Sequence, residues 1–373
     1  MSRLAPCLVL VISAACAAPP ERPPRAAVFL PYRAERVTAV ATPEPELEST
    51  VAVEAEVEPS SPSASEPEPT GRSRRFEVES PALTRAFGRP RTVGAEVVLP
   101  EAGVSDTTPS VVYHVPDLGE DPVHVAERLA RIGVPAGLVL VVLDPRGIRP
   151  HHLFLDSVNE GPNGEALVTD LIPVLERHLF AGAWAERRFL TGSGLGGASV
   201  IRLQLDYAHA FDAVYAFDPD PLDMRSFYGL NLPRVADEGP SAGAIAALRL
   251  PRVAARLACL ESALGARGDD GIPQPLIARH GSAIQADVVA AFGRRDSARF
   301  VRERGRSVAA RLDRKIHAVA RRGDPLGRDE SLRSFADELS AAGLTFGIRI
   351  PDDYDFTAAI TGAWSAMLAA PRP

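Results

Sequence analysis

The residues whose spacing could carry chemistry are TGSGLGG at positions 191–197. A short apolar run, Phe189-Leu190, leads into them, and ASVIRLQL at 198–205 leads out with the texture of a helix. Strand, glycine-rich turn and helix form the setting of the G-x-S-x-G pattern, whose strained turn exposes a serine hydroxyl for attack on a carbonyl carbon. From Gly192 to Gly196 this chain reads G-S-G-L-G. Both outer glycines are in place, but the centre, where the nucleophile belongs, is Gly194. Ser193 stands one residue early. A phosphate-cradling loop is excluded, because no G-K-[ST] follows.

Acyl transfer by serine needs more than the turn. A histidine must take and return the proton, a carboxylate must orient that histidine, and backbone N–H groups must hold the developing oxyanion. The elements that position such groups are legible in outline. Strands are expected at 75–79, 95–99, 110–115, 137–143, 211–217, 315–320 and 344–350, with another just before the turn. Helical spacing is expected at 123–132, 165–178, 331–342 and 356–368. Fully apolar strands alternating with amphipathic helices predict a mostly parallel sheet covered on both faces. No internal repeat is evident.

Taken in order, several blocks resemble one family. HHLFLDSVNEGPNGEALVTDLIPVLERHL from His151, RRFLTGSGLGG from Arg187 and VVYHVPDLGED from Val111 are similar to segments of the enterochelin-esterase-like, esterase-D-type branch of the α/β-hydrolases. GIPQPLIARHGSAI from Gly271 and RKIHAVARRGD from Arg314 fit its later blocks. The likeness covers residues 74–370. It implies an α/β-hydrolase fold and carboxylic ester hydrolysis without a cofactor.

Carried over residue by residue, the resemblance places the nucleophile at Gly194, the acid at Asp324 and the base at Tyr354. The elbow holds its central residue at positive φ, which costs a non-glycine residue about 1–3 kcal/mol and glycine little. Glycine there keeps the turn and deletes the chemistry. Ser193 is the fallback nucleophile, but adjacent positions on such a turn point in different directions, and about 1 Å of misplacement costs on the order of 100-fold. No histidine follows His317, so a Ser–Asp–His order ending after the last strand cannot be completed. A tyrosine with an ordinary pKa near 10 is a poor base at neutral pH. The oxyanion donors fall on the backbone N–H groups of Leu118 and Leu195. The first lies in a loop containing Asp117, Glu120 and Asp121, where the family carries glycines, and carboxylates there oppose a developing negative charge.

Other candidates read as structural. His151 and His152 are adjacent, and on a strand adjacent side chains face opposite ways, so they chelate a metal poorly. Asp156, Ser157 and Asn159 shape a loop before a helix. Asp218, Asp220 and Asp223 surround two prolines, where turn chemistry outweighs a calcium site. Cys259 lies on an apolar helix face and reads as core.

The N-terminus is of another kind. Residues 1–16 form a short apolar stretch after Met-Ser-Arg and read as an export signal, with Cys16 after Ser13-Ala14-Ala15 as a lipidation site. Residues 17–72 are rich in Pro and Glu, and their composition predicts a disordered linker ahead of a domain over 73–373. Positions 37–71 hold eight Glu and no Lys, Arg or Asp. Without that tract the net charge of −7 becomes nearly neutral, which gives no electrostatic case for nucleic acid. With Cys7 and Cys16 in the signal, Cys259 is left alone, so the domain has no disulfide framework. The expectation is an esterase-like protein of the bacterial envelope, exported to the periplasm or a membrane surface, that has lost hydrolysis and binds a small molecule or an envelope protein. An active hydrolase using Ser193 with an unconventional base, and a structural or protein-interaction module, are the alternatives.

Overall fold

The computed structural model describes residues 73–100, 109–278 and 283–370. The expectations for the signal, the linker and Cys16 lie outside these residues.

Eight strands form one sheet. They are β1 (Ser73–Glu79), β2 (Thr92–Val98), β3 (Ser110–Val115), β4 (Leu138–Leu143), β5 (Arg188–Ser193), β6 (Ala213–Phe217), β7 (Ile316–Val319) and β8 (Gly347–Arg349). Their order across the sheet is β1-β2-β4-β3-β5-β6-β7-β8. β1 and β2 pair antiparallel, β2 meets β4 antiparallel, and the rest run parallel. β3 and β4 are buried at every position, as a central strand covered on both faces must be.

Alternating side chains divide the core. On one face Val111, Tyr113, Val139, Val141 and Leu190 pack with Leu167, Leu171, Val200 and Phe335. On the other, Val112, Leu140, Val142 and Phe189 meet Val125 and Leu129 of α2 (Pro122–Ile132) and the closing helix over Phe356–Ala369, which contributes Trp364 and Met367. α1 (Pro81–Phe87) joins β1 to β2, its start capped by Ser80, whose hydroxyl accepts the Leu83 N–H.

The helix expected over 165–178 is interrupted. A π-helical turn spans Ala166–Leu171, and α3 covers Ile172–Leu179. Pro173 has no N–H to give to the turn before it, so the ladder widens there. β2 starts at Thr92, earlier than expected, and takes Gly94 into its interior. A Cβ at Gly94 would lie 2.6 Å from the Arg75 guanidinium on the neighbouring strand.

β5 turns directly into α4 (Leu195–Asp206). Between β6 and β7 lies a helical insertion, with α5 (Leu232–Glu238), α6 (Ala242–Leu248), α7 (Pro251–Leu264), α8 (Ala286–Arg295) and α9 (Ser297–Leu312). Its own apolar cluster, including Phe227, Leu248, Leu257, Leu260 and Phe292, also takes in Leu153, Leu155 and Leu195 from the sheet domain. α10 (Arg328–Ala341) connects β7 to β8, and α11 is the closing helix already described.

Candidate functional site

Gly194 sits between β5 and α4 with φ +54° and ψ −121°. This is a region L side chains enter only under strain. Its N–H donates to the Phe217 carbonyl at 3.0 Å, and its carbonyl accepts from Asp220 N–H at 2.9 Å. A Cβ on Gly196 would run into the Val115 carbonyl of β3. The outer glycine therefore serves the close approach of helix and sheet.

A Cβ on Gly194 would fall inside the carboxylate of Asp117. That carboxylate occupies the space a side chain at the elbow would need. Its Oδ1 accepts the Leu118 N–H at 2.7 Å and the Leu195 N–H at 2.9 Å. The two backbone donors expected to hold an oxyanion do converge, and what they hold is an internal carboxylate. Asp117 is fixed from behind as well, since its own N–H donates to Glu120 Oε2 at 2.9 Å.

Arg256, from α7 in the insertion, closes the arrangement. It donates through Nη1 to Asp117 Oδ1 at 2.9 Å and through Nη2 to Oδ2 at 2.7 Å. This two-point geometry is the strong form of the arginine–carboxylate pair. Nη1 also reaches Asp220 Oδ2. Burial alone would raise the Asp117 pKa, but the Arg256 bonds and charge, with the two N–H donors, hold it below the usual carboxylate range. Asp220 is fully buried and, among the described residues, its Oδ1 has no hydrogen-bond partner. Desolvation pushes it up to about 6, against the pull of Arg256.

Asp324 and Tyr354 come to the same carboxyl edge, after β7 and β8. Asp324 receives Arg328 Nε at 3.0 Å and Nη2 at 2.7 Å, and caps a turn through the Leu326 N–H at 2.8 Å. Tyr354 donates its hydroxyl to Asp218 Oδ2. Arg328 bridges the two, with Nη1 on the Asp218 carbonyl at 3.3 Å. Asp324 is thus the partner of an arginine, and Tyr354 is a donor to a carboxylate. Burial, then the Asp218 bond, raises the phenol further from ionisation, so it is still less suited to accept a proton. Ser193 ends β5 in register with Phe217 and is half-buried.

Two expectations need correction. His151 and His152 lie in a loop, not a strand, and both are buried. His151 Nδ1 accepts the Leu153 N–H at 3.0 Å, which leaves Nε2 to donate to the Pro116 carbonyl at 3.1 Å. His152 Nδ1 accepts the Phe154 N–H at 3.0 Å. Burial lowers their pKa values to about 4 and about 3. The Asp218, Asp220 and Asp223 group is more than turn chemistry. Asp223 caps a short helical turn and pairs with Arg225 at 2.6 Å, Asp220 meets Arg256, and Asp218 accepts from Tyr354. Among the described residues no cluster of His, Cys, Asp and Glu could hold a metal ion, and no helix is long and apolar enough to cross a membrane.

Arg256 is the residue that sequence reasoning missed. Its only signal was an arginine directly before the apolar run Leu257-Ala258-Cys259-Leu260, in a helix that also carries Arg252 and Glu261. The role of Asp117 was half visible: its charge was seen beside the donors, but not its occupation of them.

The strand order, with an elbow between β5 and α4, defines an α/β-hydrolase fold. No family profile and no curated protein matches the chain. Among solved structures it is similar to a ferulic acid esterase, at 15% identity over 80% of this chain and 96% of that one, with a TM-score of 0.48. It is also similar to an S-formylglutathione hydrolase from Agrobacterium tumefaciens, at 16% identity over 79% and 92%, TM-score 0.47. A third is MPT51 (FbpC1) of Mycobacterium tuberculosis, at 12% identity over 79% and 94%, TM-score 0.48. At these scores the fold assignment rests on the strand order itself, and no activity transfers.

Proposed function

We propose that this protein is a non-hydrolytic, esterase-like α/β-hydrolase domain of the bacterial envelope that works by binding or scaffolding. One observation carries the loss of hydrolysis: the Asp117 carboxylate accepts the N–H groups of Leu118 and Leu195 and is held there by Arg256. An oxyanion developing at that point would meet a negative charge where catalysis needs empty, preorganised donors. Gly194 and Tyr354 agree with this reading, since neither supplies a nucleophile or a base. Export and a lipid anchor at Cys16 rest on the N-terminal sequence. The ligand or partner is a small molecule or another envelope protein. Nucleic acid is disfavoured by the near-neutral domain.

The test is turnover of 4-nitrophenyl acetate by the full chain and by its Ser193→Ala variant. The expected result is the same background rate for both. Turnover that disappears with Ser193 would sink the proposal.

A further inference from the structure

The sequence of α9, SARFVRERGRSVAARL, holds five arginines and one carboxylate. From Arg294 to Lys315 the chain has nine basic residues and three acidic ones. Arg299, Arg302, Arg304, Arg306 and Arg311 are all exposed. Ala298, Val301 and Leu312 of the same helix are buried in the main core, with Phe300 and Val308 packed against it. The helix is therefore amphipathic, and its solvent side is a stripe of arginine.

Two of the five are balanced. Arg299 pairs with Glu303 at 2.6 Å, and Arg302 pairs with Glu338 of α10 at 2.9 Å. Among the described residues, Arg304, Arg306 and Arg311 have no carboxylate partner. Arg304 lies over the Phe300 ring instead, at 5.7 Å. The flanking helices do not supply the missing charge. On α4, Asp206 is taken by Arg202 at 2.8 Å. On α10, Glu330 and Asp337 are exposed, but neither reaches these three arginines. Arg302 and Arg306 stand one turn apart, where like charges repel. The face is open to solvent and short of anions.

The complementary charge is in the same chain. The eight glutamates of positions 37–71 include Glu44, Glu46, Glu48, Glu54, Glu56 and Glu58. This tract lies outside the described residues and enters the domain at Ser73, the start of β1. α9 packs on α10, which joins β7 to β8 at the opposite edge of the sheet. Strand spacings of about 4.8 Å put the two edges roughly 35 Å apart. Glu48 stands 25 residues before Ser73, which allows up to about 85 Å of chain. Alternate residues of an extended chain repeat about every 6.7 Å, close to the rise of about 6 Å from Arg302 to Arg306. A tethered segment acts at an effective concentration on the order of 1 mM, ahead of most anions in free solution. A membrane surface fits less well, because the large apolar side chains of α9 are committed to the core and none is left to enter lipid. We propose that the glutamate tract over 44–58 docks on α9 through Arg304, Arg306 and Arg311 and covers its charge.

The test is phenylglyoxal modification of the full chain, read at each arginine by mass spectrometry. At about 0.1 M salt, Arg304, Arg306 and Arg311 should react about fivefold more slowly than at about 1 M, where screening releases the tract. Exposed Arg252 is the reference. Replacing all eight glutamates by Gln should abolish the difference, and this change leaves every contact of the described domain intact. Conversely, Arg304→Gln with Arg306→Gln and Arg311→Gln should let a glutamate-specific protease cut the tract about fivefold faster. Equal modification rates in the wild type and the Gln-tract variant overturn the proposal. So does an unchanged cleavage rate in the folded arginine variant. Phosphatidylglycerol vesicles should not sediment the wild type at about 0.1 M salt. Sedimentation that depends on the three arginines would assign α9 to an anionic membrane and overturn the proposal as well.

Discussion

Asp117 Oδ1 lies 2.9 Å from the backbone nitrogen of Leu195, the first residue of the helix that follows the elbow. The negative end of an aspartate meets the N-terminus of a 12-residue helix, where the unsatisfied N–H groups and the dipole favour an anion. The hydrolase scaffold has kept its anion site and supplied the anion from its own loop.

Restoring the nucleophile alone should fail. Gly194→Ser puts a side chain into the Asp117 carboxylate and a non-glycine residue at positive φ, which by itself costs about 1–3 kcal/mol. Urea denaturation should show a destabilised protein. The pair Gly194→Ser with Tyr354→His should show no turnover of 4-nitrophenyl acetate. Any gain should require Asp117→Gly as well, and activity in the pair without that third change contradicts the arrangement.

Removing Arg256 should be severe. Arg256→Met leaves Asp117 and the fully buried Asp220 without their shared cation, and breaking a buried pair from one side costs about 3–5 kcal/mol. Adding Asp117→Asn and Asp220→Asn to that variant should recover much of the loss, because the orphaned charges are gone. A double-mutant-cycle analysis of denaturation midpoints measures the coupling.

Stability should fall on acidification below pH 6.5. His114, His151 and His152 are held neutral by burial, with pKa values lowered to about 3, 4 and 3. The unfolded chain binds their protons first, near 6.5, so the stability they hold at neutral pH drains away as pH falls through that window. Asp220 acts oppositely: raised to about 6, it is protonated in the folded state before the unfolded one, which favours folding as pH drops toward 4. Among these four groups the histidines outweigh the aspartate; His317, also lowered by burial, adds to the loss, while Glu96, Glu261 and Asp296, raised by burial, oppose it as Asp220 does. Asp220→Asn should make the decline steeper. A wild-type protein more stable at pH 5 than at pH 7 contradicts this assignment.

Tyr354→Phe should cost about 1 kcal/mol and leave ester turnover at background. Asp218 loses the phenol but keeps the Arg321 N–H at 3.1 Å. A larger effect on a ligand's affinity than on stability would instead place Tyr354 in a binding role.

Much of this was legible from residue order. The expected strand over 110–115 matches the observed β3, and strand, glycine-rich turn and helix at 191–197 mark the turn at Gly194; Asp324 and Tyr354 came only through the family resemblance, and they lie after β7 and β8. What escaped was long-range. Arg256 meets Asp117 across 139 positions, and periodicity reports only which face of a helix is apolar, not which single charge on it finds a partner. The insertion was equally opaque, because short amphipathic helices packed on one another leave no strand rhythm to count. The broken helix around Pro173 shows a local rule, a missing N–H, overriding a correct apolar period.

An enzyme keeps its reactive turn frustrated, with donors waiting unpaired and a bulky residue bent against its preference. At Gly194 that tension has been released: the backbone is at ease, the donors are spoken for, and the Leu195 side chain is embedded in the insertion's apolar cluster. Under the proposed non-hydrolytic role, the usual trade between activity and stability falls on the side of rigidity. The place where a hydrolase is most delicate should be, in this protein, among its most protected, and the amides of Leu118 and Leu195 should exchange with deuterium only when the whole domain opens.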